Sequence, residues 1–246
     1  MTVLPVVSRE LRVASRRSWT YWGRLVAAGI ALAFTGWMLL FQRMVGGAVL
    51  TGLPLFYMVS SVSLGFALLS GLVFSCDSVS REKRDGTLGL LFLTDLRGVD
   101  ITLGKLAASS LGALYGLVAV LPLLALALLM GGVTAQDYLR MVAVLLLTLG
   151  TSLALGMLAS VLTSDVRRSV SLGSVLIVVL CGGGPLMSYS FSWVLERMKF
   201  PTEVIQAWEQ GWLSSATPFT AFYLTHSSTY GAEPGRFAKS LAAVAV

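Results

Sequence analysis

The residues most able to do chemistry form one polar run, from Asp77 to Lys105, in an otherwise apolar chain. Its first part reads Asp77-Ser78-Val79-Ser80-Arg81-Glu82-Lys83-Arg84-Asp85-Gly86-Thr87 and carries both signs of charge at successive positions. A mixed cluster of this kind suits recognition of another protein, because complementary charges select the partner and set its orientation. The alternative is a solvated loop whose basic residues only determine membrane orientation.

Residue types that serve catalysis or metal binding are scarce elsewhere. The chain has one histidine, His226, and two cysteines, Cys76 and Cys181, without a Cys-x-x-Cys pair. We expect both cysteines to be small buried side chains and expect no metal site. The Gly104-Lys105 pair lacks the upstream glycine and the following hydroxyl of a nucleotide-binding loop. The sequence therefore predicts a protein that is not an enzyme and that binds no cofactor itself.

The composition places the chain in a membrane. It is 56% hydrophobic and 12% charged, whereas soluble domains carry about 25% charged residues. The net charge of +6 fits the bias of Lys and Arg toward loops that face anionic lipid on the cytoplasmic side. Nucleic-acid binding is not expected, because no basic patch lies on a segment that resembles a soluble domain.

The predicted fold is all-α, a polytopic membrane protein with five complete transmembrane helices and the start of a sixth, because a spanning helix needs about 20 apolar residues. Pro122 predicts a kink in the third span, and Gly182-Gly183-Gly184-Pro185 predicts a break or hinge in the fifth. The spans are predicted at 25–42, 54–76, 104–131, 141–163 and 169–195, with a partial sixth at 237–246 where the sequence stops.

Small residues along two spans predict close approach of their helices. They are Ser63, Gly65 and Ser70 in the second span, and Gly150, Ala154 and Gly156 in the fourth.

Residues 1–24 precede this transmembrane domain of 25–246. Their apolar and basic residues alternate at helical spacing and aromatic residues follow, which predicts an amphipathic helix in the membrane interface, in contact with lipids. The alternative is an ordinary cytosolic tail. Residues 196–236 are too polar to span but rich in aromatic residues, so we expect short helices at the outer interface rather than a plain loop. The interfacial residues of the first helix are Arg9, Arg12, Arg16, Trp19 and Trp22.

A cytoplasmic N-terminus places 12 of the 18 Lys and Arg residues on the inner side, which leaves 6 outside and agrees with the positive-inside rule. The loop 77–103 is then cytoplasmic. The interiors of the predicted spans carry no Asp, Glu, Lys, Arg or His except Lys105 at the inner end of the third. Since proton-driven transporters use such residues at membrane depth, any energy for transport is expected to come from a partner.

Within this loop, Ser78 or Ser80 is expected to cap a short helix that runs through Arg84 and ends at Gly86. Thr87 is expected to cap a second, apolar helix through residue 93. Asp100 is placed to cap the third span.

Three stretches in this region together resemble the cytoplasmic signature of type-2 ATP-binding-cassette (ABC) exporter permeases. They are Arg81-Glu82-Lys83-Arg84-Asp85-Gly86-Thr87-Leu88, Leu90-Leu91-Phe92-Leu93-Thr94 and Leu103-Gly104-Lys105. The basic N-terminal helix, the order of the spans and the aromatic segment after the fifth span extend the resemblance to nearly the whole chain. Gly89 and Asp95 depart from the family pattern, which commonly has an acidic residue and a proline there. The family has six spans, so the chain is expected to lack most of its last one.

The resemblance implies the membrane subunit of an ATP-driven exporter in the bacterial cytoplasmic (inner) membrane. ATP and Mg would be bound by a separate ATPase subunit, and a second permease chain, identical or different, would complete the substrate path. Coupling helices between the second and third spans would contact the ATPase and pass their motion to the third span, and the N-terminal helix would be a second contact. A non-transporting membrane scaffold that uses the same loop, and a secondary transporter or channel, remain alternatives. The residues implied to contact the ATPase are Arg81, Glu82, Arg84, Asp85, Gly86 and Thr87.

Overall fold

The computed structural model describes residues 52–84, 86, 98–202, 217–225 and 234–245, with isolated positions between 29 and 44. Of the described residues, none lies in a β-strand. In chain order the elements are α1 (Gly52–Ser70), a π turn (Gly71–Ser75), α2 (Ser80–Arg84), α3 (Gly98–Leu129), α4 (Ala135–Leu162), α5 (Val166–Val178), a second π turn (Val179–Gly183), α6 (Gly184–Arg197), α7 (Pro218–Tyr223) and α8 (Pro234–Ala245).

Within the residues that the structure describes, four helical stretches are long and apolar enough to cross a membrane. They overlap the second to fifth predicted spans and comprise Gly52–Ser75, Thr102–Leu129, Ala135–Leu162 and Val166–Arg197. The predicted interfacial helix at 1–24 lies outside the described residues. So does the first span at 25–42, apart from isolated helical positions.

The apolar core lies between α1, α3 and α4. Phe56 of α1, Leu117 and Leu124 of α3, and Leu145 of α4 are almost completely buried there. Helix α4 also packs against the first π turn, α5, α7 and α8. It is therefore the element around which the described helices assemble.

Helix α4 begins at Ala135, before the apolar stretch predicted at 141–163 starts. Thr134 and Asp137 form a capping box, in which the Thr134 hydroxyl accepts a hydrogen bond from the Asp137 amide and the Asp137 carboxylate accepts one from the Thr134 amide. Asp137 is only 1% exposed and also pairs with Arg140 at 3.3 Å. Because these partners satisfy the carboxylate, Asp137 can be buried although the residues before it are exposed.

At the break predicted for Gly182–Pro185 the structure has a π turn, and the helix is not interrupted. The helical path continues from α5 into α6 through the π turn Val179–Gly183, and Pro185 lies in the first turn of α6. Likewise α3 runs through Pro122 without ending.

The prediction that Asp100 caps the third span is wrong, because α3 already begins at Gly98 and Asp100 lies within its first turn. In the aromatic segment 196–236, α7 is a short helix that begins after Thr217, whose hydroxyl accepts from the Thr220 amide. Helix α8 starts near the predicted partial span and packs on α4 and α7. Residues 203–216 and 226–233 lie outside the described part.

Candidate functional site

The end of α1 leaves regular α-helical geometry where it meets α4. The Cys76 amide donates to the Gly71 carbonyl at 3.2 Å, which is the bond of a π turn. The Ser152 hydroxyl of α4 accepts from the Gly71 amide at 3.0 Å and donates to the Leu68 carbonyl. The Ser152 side chain of α4 thus replaces hydrogen-bond partners that these backbone groups lose at the π turn.

Only a glycine fits at position 71. A Cβ atom there would lie 1.9 Å from the Ser152 carbonyl oxygen, and one at Gly156 would lie 2.2 Å from the Gly71 carbonyl oxygen. The two backbones therefore touch directly. The close approach predicted for Gly156 is confirmed, whereas the part played by Gly71 and Ser152 was missed.

Beyond the π turn the chain folds through a turn, Cys76–Val79, into the five-residue helix α2. We call residues Ser75–Arg84 the junction. The Ser160 hydroxyl at the end of α4 accepts hydrogen bonds from the Val79 amide at 2.9 Å and from the Ser80 amide at 3.0 Å. Ser160 is fully buried. It satisfies amides at the start of α2, which have no partner inside so short a helix.

The serines predicted to cap α2 have other roles. The Ser78 hydroxyl donates to the Ser75 carbonyl at 2.7 Å, and the Ser80 hydroxyl donates to the Cys76 carbonyl at 3.2 Å. The prediction that Ser78 or Ser80 caps α2 is wrong, because the capping hydroxyl belongs to Ser160, which lies 80 positions after Ser80.

Two further helices bind the junction through its carbonyls. Ser169 of α5 donates to the Cys76 carbonyl at 2.5 Å. Lys105 of α3 donates to the Ser78 carbonyl at 2.7 Å. In addition, Lys83 of α2 donates to the Val161 carbonyl near the end of α4. Of the four candidate spans in the described part of the chain, the junction is thereby bonded to all three that follow its own helix α1. These spans begin with α3, α4 and α5.

A family model described as "ABC-2 family transporter protein" matches residues 4–244. The chain belongs to the ABC-2 transporter family. This ABC-2 protein is a multi-pass membrane protein and a permease subunit of an ABC transporter, which confirms the resemblance seen in the polar run. Family membership implies association with an ABC ATPase subunit, since ABC-2 permeases lack a nucleotide-binding domain of their own. A comparison with curated proteins gave no match.

The structure brings part of the predicted contact set of this permease together on α2. The backbones of Arg81 and Glu82 lie in the helix, and Arg84 is exposed at its end. Gly86 has a positive φ of 68° and its amide donates to the Lys83 carbonyl at 3.4 Å, so the predicted end of the helix at this glycine is confirmed. The side chains of Arg81 and Glu82 lie outside the description, as do Asp85, Thr87, the second predicted helix, and the N-terminal residues Arg9, Arg12, Arg16, Trp19 and Trp22.

The charges on the described part of α2 are partly exposed. Arg84 pairs with Asp77 at 3.0 Å, and both side chains remain about a third or more accessible. Exposed pairs contribute little, about 0–1 kcal/mol. The junction of this permease is therefore held mainly by buried hydroxyl-to-backbone bonds, and Arg84 stays available at the surface. In the described part of the chain, no group of three His, Cys, Asp or Glu residues could hold a metal ion.

Proposed function

We propose that this permease is the membrane subunit of an ATP-driven exporter and that α2 is its docking element for a separate ATPase subunit, which binds ATP and Mg. The observation that supports this role is the junction. A docking helix can transmit a movement only if it is fixed to the spans. Buried hydrogen bonds join the junction to α4 and α5, and a partly buried bond from Lys105 joins it to α3. The ATPase contacts would be Arg81, Glu82 and Arg84, with Asp85, Gly86 and Thr87 beside them.

The wider arrangement follows from the sequence. We place the N-terminus and the coupling loop 77–103 in the cytoplasm of a bacterial cell, because 12 of the 18 Lys and Arg residues then lie inside. Residues 1–24 would lie on the inner membrane surface against lipids. Residues 25–42 would be the first span, which together with the four candidate spans makes five. Two permease chains would form the substrate path between them.

The test is the charge reversal Glu82→Lys in the full-length protein, copurified with its ATPase in mild detergent. Because Glu82 would face the partner, the variant should insert and fold normally but fail to stimulate ATP hydrolysis. A matched control is Glu196→Lys, a charge reversal at an exposed position near the end of α6. It should stimulate like the wild type.

The two outcomes separate the candidate functions. Normal stimulation by Glu82→Lys would remove Glu82 from the contact. A folded wild-type preparation that copurifies with no ABC ATPase would instead favour the membrane scaffold, in which the same loop recruits another cytoplasmic partner.

A further inference from the structure

We propose that Ser160 is a positioning residue that fixes α2 to α4, so that movement received at α2 enters the fourth span first. This inference rests on the proposed function, in which α2 contacts the ATPase. It differs from the expectation drawn from the family resemblance, which sends the motion into the third span.

Three residues on one face of α4 carry the attachment. Ser152, Gly156 and Ser160 are spaced by four, so they lie one above the other along the helix. Ser152 binds the Gly71 amide, Gly156 touches the Gly71 carbonyl, and Ser160 binds the amides that open α2. At each level α4 meets main-chain atoms of the neighbouring segment, so the contact continues without a gap from the π turn to α2.

The connection to α3 is made differently. Lys105 reaches the Ser78 carbonyl with a long side chain, and the Ser75 and Ser109 hydroxyls meet at 3.2 Å. The Phe74 ring fills the space beside Gly112, 3.2 Å from where a Cβ atom would lie. A lysine can keep its hydrogen bond through rotamer changes while its helix slides. A buried serine that holds two amides permits much less movement, because its single torsion sets where the oxygen lies.

Two further hydrogen bonds strengthen the attachment of the junction to α4 and α5. Lys83 of α2 donates to the Val161 carbonyl of α4, and Ser169 attaches the start of α5 to the Cys76 carbonyl. Helices α2 and α4 and the first turn of α5 should therefore move together, and α3 should move relative to them.

The functional test compares Ser160→Ala with Ser160→Thr in the permease–ATPase complex. The alanine variant leaves two buried amides without their acceptor, so it should still bind the ATPase but stimulate hydrolysis about fivefold less, which corresponds to about 1 kcal/mol. The threonine variant keeps the hydroxyl and should restore most of the stimulation. Thr151→Ala is the control, because among the described residues that α4 hydroxyl bonds within its own helix, to the Thr148 carbonyl.

The movement itself is tested by electron paramagnetic resonance with spin labels on accessible positions. One pair joins Asp77 of the junction, which is accessible and lies outside the proposed ATPase contacts, to Leu162 at the end of α4, and the other joins Asp77 to Leu103 of α3. On addition of ATP, the first distance should stay unchanged and the second should change. In Ser160→Ala the first distance should change as well.

Each outcome decides a separate point. A change of the Asp77–Leu162 distance in the otherwise wild-type protein would overturn the inference, and so would full stimulation by Ser160→Ala. Loss of ATPase binding by Ser160→Ala, or failure of a folded Ser160→Thr to restore stimulation, would make Ser160 part of the docking surface or of the fold rather than of the transmission. A folded wild type that binds no ATPase would refute the proposed function, and the inference with it. If Ser160→Ala does not fold, the two spin-label distances measured without that substitution still test the inference.

Discussion

Replacing Gly71 by alanine should separate α1 from α4. The added Cβ atom would lie 1.9 Å from the Ser152 carbonyl oxygen and 2.4 Å from its carbonyl carbon. Both atoms belong to the backbone of α4, so no side-chain rotation can relieve the overlap. Ordinary carbon contacts begin near 3.5 Å, and the two helices must therefore move apart by about 1.5 Å.

The cost has two sources. Forcing an extra methyl group into a packed interface destabilises by about 1–3 kcal/mol. The same displacement takes the Gly71 amide out of reach of the Ser152 hydroxyl, now 3.0 Å away, and such bonds in membrane proteins contribute about 0.6 kcal/mol on average. Together they lower the free energy of unfolding by about 2–4 kcal/mol. For a chain of this size that corresponds to a decrease in Tm of at least about 4 °C.

The assay is thermal unfolding of purified protein in detergent, followed by size-exclusion fluorescence. Gly65→Ala is the matched control, because it lies on the same helix and no described atom lies within 4 Å of its added Cβ. It should keep or raise the Tm, since alanine is the better helix former. A monodisperse Gly71→Ala protein with the Tm of the control would show that the backbones of α1 and α4 are not in contact.

Two further predictions concern α3 and the start of α4. Gly116→Ala places a Cβ atom 2.5 Å from the tip of the Phe66 ring, so it should lower the free energy of unfolding by about 1–3 kcal/mol. Adding Phe66→Leu should recover most of the lost Tm. If the losses of the two single variants simply add in the double variant, this packing is contradicted. Thr134→Ala removes the hydroxyl that binds Asp137 and should cost about 1 kcal/mol in the same assay. Ser174→Ala loses an exposed hydrogen bond to the Ser171 carbonyl of its own helix α5 and should be neutral. Equal Tm values for these two variants would argue against the cap.

The spans that the structure describes were predictable because apolar length alone determines them. The beginning of α4 was missed for the same reason, since Asp137 and Arg140 interrupt the apolar stretch. The spacing of Thr134 and Asp137 was the available signal, as a hydroxyl followed three residues later by an acidic residue is typical of a capping box.

Close helix contacts were only partly predictable. Gly156 approaches another backbone as expected, but for Gly65 and Gly150 no described atom lies within 4 Å of an added Cβ, and Ala154 is exposed. A glycine permits close approach without requiring it. Which glycine is used depends on the register of two helices, and that is a property of the folded structure.

The junction was the least predictable part. The polar run identified α2 and its terminal glycine, because a helix signal and a C-terminal glycine are local in sequence. Ser160 carried no such signal, since its role exists only after residues 80 positions apart have met. The same holds for Ser169 and Lys105.

The π turn at Gly71–Ser75 has a consequence for how the permease is made. Its partner Ser152 lies 81 residues further along the chain, so at about 5–20 residues per second the ribosome needs about 4–16 s to supply it. Until then the second span has no hydroxyl to receive the Gly71 amide, and inside lipid an unpaired amide is costly. The newly inserted span should therefore wait as an ordinary α-helix. It would change to the π form only when the fourth span packs beside it. The π turn would therefore form late, after both spans are in the membrane.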